Sequence, residues 1–101
     1  KDIMNMQAIM KQAQKLQKDM LEAQNEINNK VFESKSSLVS VKMTGAKKLV
    51  EVKIDADTIE SDDIEMLEDM IMVAVNDTLK QIETETEEKL GKYTQGMPGL
   101  F

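Results

Sequence analysis

From Met6 to Ile27 the apolar residues Met6, Ile9, Ala13, Leu16, Met20, Ala23 and Ile27 follow one another in alternating steps of three and four, with no Pro or Gly between them. That spacing gathers all seven onto one stripe of an α-helix. Gln, Lys, Ala, Met and Leu, which supply much of the segment, favour helix as well. The pattern predicts a helix over about residues 3–30, ~42 Å long at 1.5 Å per residue, whereas a compact 100-residue domain has a radius of gyration of only ~13 Å. Part of this helix must overhang its own core, so its apolar stripe calls for a second helix, a second copy of the chain, or both.

Past Lys30 the period changes to two. Val39, Val41 and Met43 alternate with Ser40 and Lys42, and Val50, Val52 and Ile54 alternate with Glu51 and Lys53, across the turn Gly45-Ala46-Lys47. These runs predict a β-hairpin with its valine faces packed on helices and its Ser/Lys/Glu faces in water. Phe32 to Lys35 is a weaker first strand, joined through Ser36 and Ser37, which completes a sheet over about 31–54. A second helix is expected over about 62–90. Asp62 and Glu65 have capping-box spacing at its start, and Ile64, Leu67, Ile71, Ala74, Thr78 and Ile82 form a stripe that Met66, Met70, Val73 and Val75 widen. Gly91 is a natural stop, leaving 91–101 as a flexible tail around Pro98.

The predicted fold is therefore a single α+β domain of order α-β-β-β-α, a small antiparallel sheet carrying two long helices. Its open sheet edges and overhanging stripe point to a homodimer with protruding helical arms. Met6, Ile9, Leu16, Met20, Val41, Val52, Leu67 and Ile71 are the expected core and dimer positions.

With no His and no Cys, imidazole bases, thiolate nucleophiles and the usual zinc ligand sets are missing. The acidic run from Asp55 to Asp63 fails as a calcium loop: counting from Asp55, Ile59 stands at a ligand position, Glu60 where glycine is needed, and Met66 at the twelfth place. None of the four glycines belongs to a phosphate-cradling loop before a helix. The sequence predicts no enzyme, no metal, no cofactor and no small-molecule substrate. No run approaches the ~20 apolar residues that span a bilayer, and a cysteine-free chain suits a reducing cytoplasm.

The overall charge of −6 conceals a division, because residues 1–53 carry +4 and residues 54–101 carry −10. Within the basic half, Lys11, Lys15 and Lys18 lie on the helix face opposite the apolar stripe and can present three ammoniums to a phosphate backbone. All thirteen basic residues are Lys, so the bidentate guanine contact and the Arg insertion into a narrow minor groove are both unavailable. Any DNA binding is expected to be weakly sequence-specific. With aromatics at only 3% there is no platform for stacking exposed bases. A different reading takes the Met-lined arms as adaptors for a protein partner.

Four segments in order, Met10-Lys11-Gln12-Ala13-Gln14-Lys15-Leu16-Gln17, Leu38-Val39-Ser40-Val41 through Thr44-Gly45, Glu65-Met66-Leu67-Glu68-Asp69 with Val75-Asn76-Asp77, and Gly96-Met97-Pro98-Gly99, resemble the YbaB/EbfC family of bacterial nucleoid-associated proteins across nearly the whole chain. The resemblance implies an α-β-β-β-α homodimer whose helices project like tweezers, which binds double-stranded DNA with modest sequence preference, and which resides in the bacterial nucleoid. Where members of the family carry basic residues after the Asn-Asp pair, Lys80 alone keeps the charge here, so it joins Lys11, Lys15 and Lys18 as an expected DNA-binding residue.

Overall fold

The computed structural model describes residues 2–94. Helix α1 (Asp2–Asn29) leads into strands β1 (Val31–Ser36), β2 (Val39–Thr44) and β3 (Leu49–Ile54), and a 3-10 turn at Ser61–Asp63 opens helix α2 (Ile64–Thr94). The strands form an antiparallel meander in the order β1-β2-β3.

Local chemistry explains each junction. At the end of α1 the Lys30 amide donates to both Glu26 O and Ile27 O at 3.1 Å, which closes the helix and releases the chain into β1. Ser37, with φ 54°, provides the left-handed residue that a two-residue hairpin loop requires. In the second hairpin the left-handed residue is Lys47, φ 67°, and the turn is tied by Lys47 N–H to Thr44 O at 2.8 Å and Thr44 N–H to Lys48 O at 2.9 Å. Gly45 therefore serves another purpose. Its amide donates to Lys30 O at 2.9 Å, and a Cβ at this position would lie 1.8 Å from Ile27 O. Only glycine lets the hairpin end rest against the last turn of α1.

A stripe of α2 organises the interior. Near its start Leu67 and Ala74 pack with Val39 and Val41, and further along Ile82 packs with Phe32, Met43 and Ile27 of α1. The buried Thr78 in this stripe donates its hydroxyl to Ala74 O at 2.8 Å, so it hides no unsatisfied group. Beyond Ile82, α2 leaves the sheet and runs beside α1, where Leu16, Met20 and Ala23 are half-buried. The molecule is a rod of 76 × 21 × 13 Å with a radius of gyration of 20.5 Å, well above the ~13 Å of a compact domain this size.

Three particulars differ from the sequence expectation. Val50, Val52 and Ile54 of β3 remain 51, 43 and 36% exposed, because α2 packs on β1 and β2 but makes no packing contact with β3. Met6 and Ile9, on the part of α1 expected to overhang the core, are over 60% exposed, and α1 extends past the described end of α2. The capping interaction sits two residues earlier in the chain than Asp62 and Glu65, with the Glu60 amide donating to Asp63 Oδ2 at 3.3 Å. Finally, α2 continues through Gly91 to Thr94, because helical packing against α1 outweighs the ~1 kcal/mol cost of an interior glycine; the remainder of the expected tail lies outside the described residues. Of the other core positions, Val41 and Leu67 are buried and Ile71 is half-buried.

Two glycines should respond in opposite directions. Gly45→Ala is expected to destabilise the fold by about 1–3 kcal/mol through overpacking against the backbone of α1. At Gly91 an added methyl meets nothing within 4 Å, and Gly91→Ala should stabilise by roughly 0.5–1 kcal/mol. Urea denaturation of the two variants beside the wild type checks both signs.

Candidate nucleic-acid interface

The α1 arm sets the geometry of the lysines. Its half-buried and buried positions Leu16, Met20, Ala23 and Ile27 face α2, so Lys11, Lys15 and Lys18, half a turn away around the helix, point outward and are exposed. None of the three is ion-paired among the described residues. Toward the sheet the same arm becomes acidic at Asp19, Glu22 and Glu26, which confines the positive field to its outer half.

Lys80 is not brought to this trio. It lines an open cleft between β1 and α2 together with Lys30, Glu33, Asp77, Glu85 and Glu88, four carboxylates against two ammoniums. Lys30 is committed there, with Nζ 2.5 Å from Glu85 Oε1 and 5.1 Å from the centroid of the Phe32 ring. The cleft also holds a polar bridge between α2 and β1. Ser34 Oγ donates to Asp77 Oδ2 at 2.7 Å, and Gln81 Nε2 donates both to Asp77 Oδ2 and to Glu33 O at 3.1 Å. Hydrogen bonds from Ser34 and then Gln81 hold the Asp77 carboxyl below its ordinary pKa. Ser34 and Asp77 are 43 residues apart, and no periodicity in the sequence announces their meeting.

The outer face of the sheet carries further charge. The pairing Glu33↔Lys42↔Glu51 and the pairing Lys35↔Ser40↔Lys53 form two adjacent rows, and Lys42 Nζ lies 3.7 Å from Glu51 Oε2. No helix covers these rows. Among the described residues no group of acids could hold a metal ion, and no helix is long and apolar enough to cross a membrane.

A three-stranded meander crossed by one long helix, with a second helix projecting as a lysine-faced arm, defines a class of helix-armed α+β scaffold. The family model described as the YbaB/EbfC DNA-binding family matches residues 2–97. Proteins named nucleoid-associated protein are similar along almost the whole chain. One from Lactococcus lactis subsp. cremoris strain MG1363 is 52% identical over 98 residues, covering 95% of this chain and 99% of its own. One from Enterococcus faecalis is 47% identical over 98 residues, covering 95% and 94%. The fold is shared with the crystal structure of an uncharacterized protein from Helicobacter pylori, at a TM-score of 0.70 and 23% identity over 83% of this chain and 90% of that one. The chain belongs to the YbaB/EbfC DNA-binding family.

The Asp77 bridge gives a pH test. A carboxyl with a depressed folded pKa contributes stability that is present above its unfolded pKa and is lost as pH falls through the folded value. Ser34→Ala should raise the Asp77 pKa toward the ordinary carboxylate range in an NMR titration. It should also lower stability at neutral pH more than at a pH where Asp77 is protonated in both proteins.

Proposed function

We propose that this protein is a homodimeric, non-enzymatic binder of double-stranded DNA with weak sequence preference, acting in the bacterial nucleoid. The observation that carries the DNA reading is the exposed row Lys11, Lys15 and Lys18, without ion pairs among the described residues, on an arm that projects beyond its own core. Such a row meets phosphates and leaves base edges unread. Lys80, among carboxylates on another flank, supports binding only through the general field.

The dimer reading rests on an asymmetry between the two sheet edges. Gly45 N–H bonds Lys30 O, and the antiparallel alternation from that point turns Glu33 O outward on the β1 edge, where the Gln81 amide caps it. On the β3 edge the same alternation turns the backbone of Val52 and Ile54 outward, and their side chains are open too. Beside them the α2 flank opposite Asp77 carries half-buried Ile71 and Val75 and exposed Ile64 and Met72. A second copy brought up two-fold symmetrically covers apolar face and free edge together.

Lys→Gln changes at 11, 15 and 18 would remove six phosphate contacts from a dimer, so the slope of log affinity against log salt should flatten by about 5. Mobility shifts at several salt concentrations measure this. An unchanged slope rejects the arm as the contact surface. The exposed Met6, Ile9 and Met10 favour a second reading, in which the arms hold a protein partner. A bound protein that survives nuclease and high salt during purification would support that reading over DNA.

A further inference from the structure

We infer that the outer face of the sheet holds a second phosphate-contacting site, the row Lys35, Ser40 and Lys53, placed so that one DNA duplex lying along the molecule touches both this row and the α1 arm. The inference rests on the DNA reading above.

The two rows of the sheet face differ in a way that folding does not explain. In the row Glu33, Lys42, Glu51 the signs alternate and one pair closes to 3.7 Å, the arrangement that cross-strand charges adopt when they stabilise a sheet. The next row sets Lys35 and Lys53 on either side of Ser40. Two strand spacings put their backbones about 10 Å apart, comparable to the screening length of ~10 Å at 0.1 M salt, and neither lysine has an ion-pair partner among the described residues. A phosphodiester seated over Ser40 would receive two flexible ammoniums and a hydroxyl.

The path of α2 puts this row and the arm on one side of the molecule. Leu67, Ala74, Thr78 and Ile82 share a stripe that packs on the inner face of the sheet, and continuing the stripe by helical steps through Glu85 and Lys89 brings it against α1. One face of α2 thus rests first on the sheet and then on the apolar seam of α1. The surfaces turned away from α2 are the outer sheet face and the face of Lys11, Lys15 and Lys18. The acids Glu65, Asp69, Glu83 and Glu87 occupy the opposite, outward side of α2.

The spacing suits a duplex. Lys15 stands fourteen residues before the end of α1 at Asn29, ~21 Å along the helix, and Lys35 stands four residues beyond Val31, ~13 Å along the strand. The strands extend along α2, because Leu67 meets Val39 and Val41 while Ile82 meets Phe32 and Met43. With the junction from Asn29 to Val31 adding up to about 7 Å, the separation of roughly 34–41 Å is close to one turn of B-DNA, ~34–36 Å. A duplex then presents the same backbone to both lysine sets, and the acidic stretch around Glu22 falls between them, where that backbone winds away. A second copy on the inner face of β3 leaves the outer face open.

The test compares wild type, Lys35→Gln/Lys53→Gln and Lys11→Gln/Lys15→Gln/Lys18→Gln by fluorescence anisotropy on duplexes of about 24 and about 8 base pairs, longer and shorter than one turn. The sheet variant should lose about tenfold in affinity for the long duplex, with a salt slope flatter by about 3–4 for four contacts per dimer. It should bind the short duplex as wild type does, with circular dichroism and mass unchanged. Wild-type affinity and slope on the long duplex, or an equal loss on both duplexes, would overturn the second site while the arm variant still reports on the first. Wild type that binds neither duplex at low salt would overturn the DNA reading itself, and this site with it.

Discussion

A single apolar stripe on α2 has to cover two different surfaces, and the rest of the structure follows from how far it reaches. Its first half seals β1 and β2 against Leu67, Ala74 and Thr78, and its second half leaves the sheet to meet α1 near Ile27 and Ile82. Among the described residues nothing remains to cover β3, whose Val50, Val52 and Ile54 stay open, or the outer turns of α1. The elongated form and the incomplete core are the same fact. At ~25 cal/mol per Å² of apolar surface removed from water, leaving such residues exposed forgoes stability that a partner copy of the proposed dimer would restore.

Joining the helices at one end of the sheet also sorts the charges. The seam of α1 must face α2, which forces Lys11, Lys15 and Lys18 to the side that the outer sheet face shares, while the carboxylates of α2 crowd the opposite side. A net charge of −6 is therefore compatible with binding a polyanion, because charges beyond a screening length of ~10 Å contribute little to a local contact. The absence of arginine removes the planar, bidentate donor that reads guanine, so contact without strong sequence preference is the expected chemistry.

The elements were legible in the sequence because each has a sharp period: the three-four seam of α1, the alternating valines of β2 and β3, and the Leu67–Ile82 stripe. The overhang of α1 followed from its length alone. What the sequence left hidden depended on tertiary placement. Alternation in Val50, Val52 and Ile54 marks an apolar face but does not say whether α2 reaches it. Gly45 reads as a turn residue, yet its need for glycine comes from Ile27 O, 1.8 Å from a would-be Cβ, while Lys47 takes the left-handed turn position. Gly91 reads as a stop until α1 is present to hold the helix past it. Lys11, Lys15 and Lys18 could be placed on one face from their spacing, whereas the cleft around Lys80 and the bridge of Ser34, Asp77 and Gln81 required elements far apart in the chain to meet.

Light scattering at micromolar concentration measures the central point, that one protomer cannot close its own core. Wild type should show twice the 11.4 kDa mass of the chain, and Val52→Glu, which places a carboxylate on the open face of β3, should shift the protein toward a single protomer. A stable wild-type monomer at that concentration would contradict it.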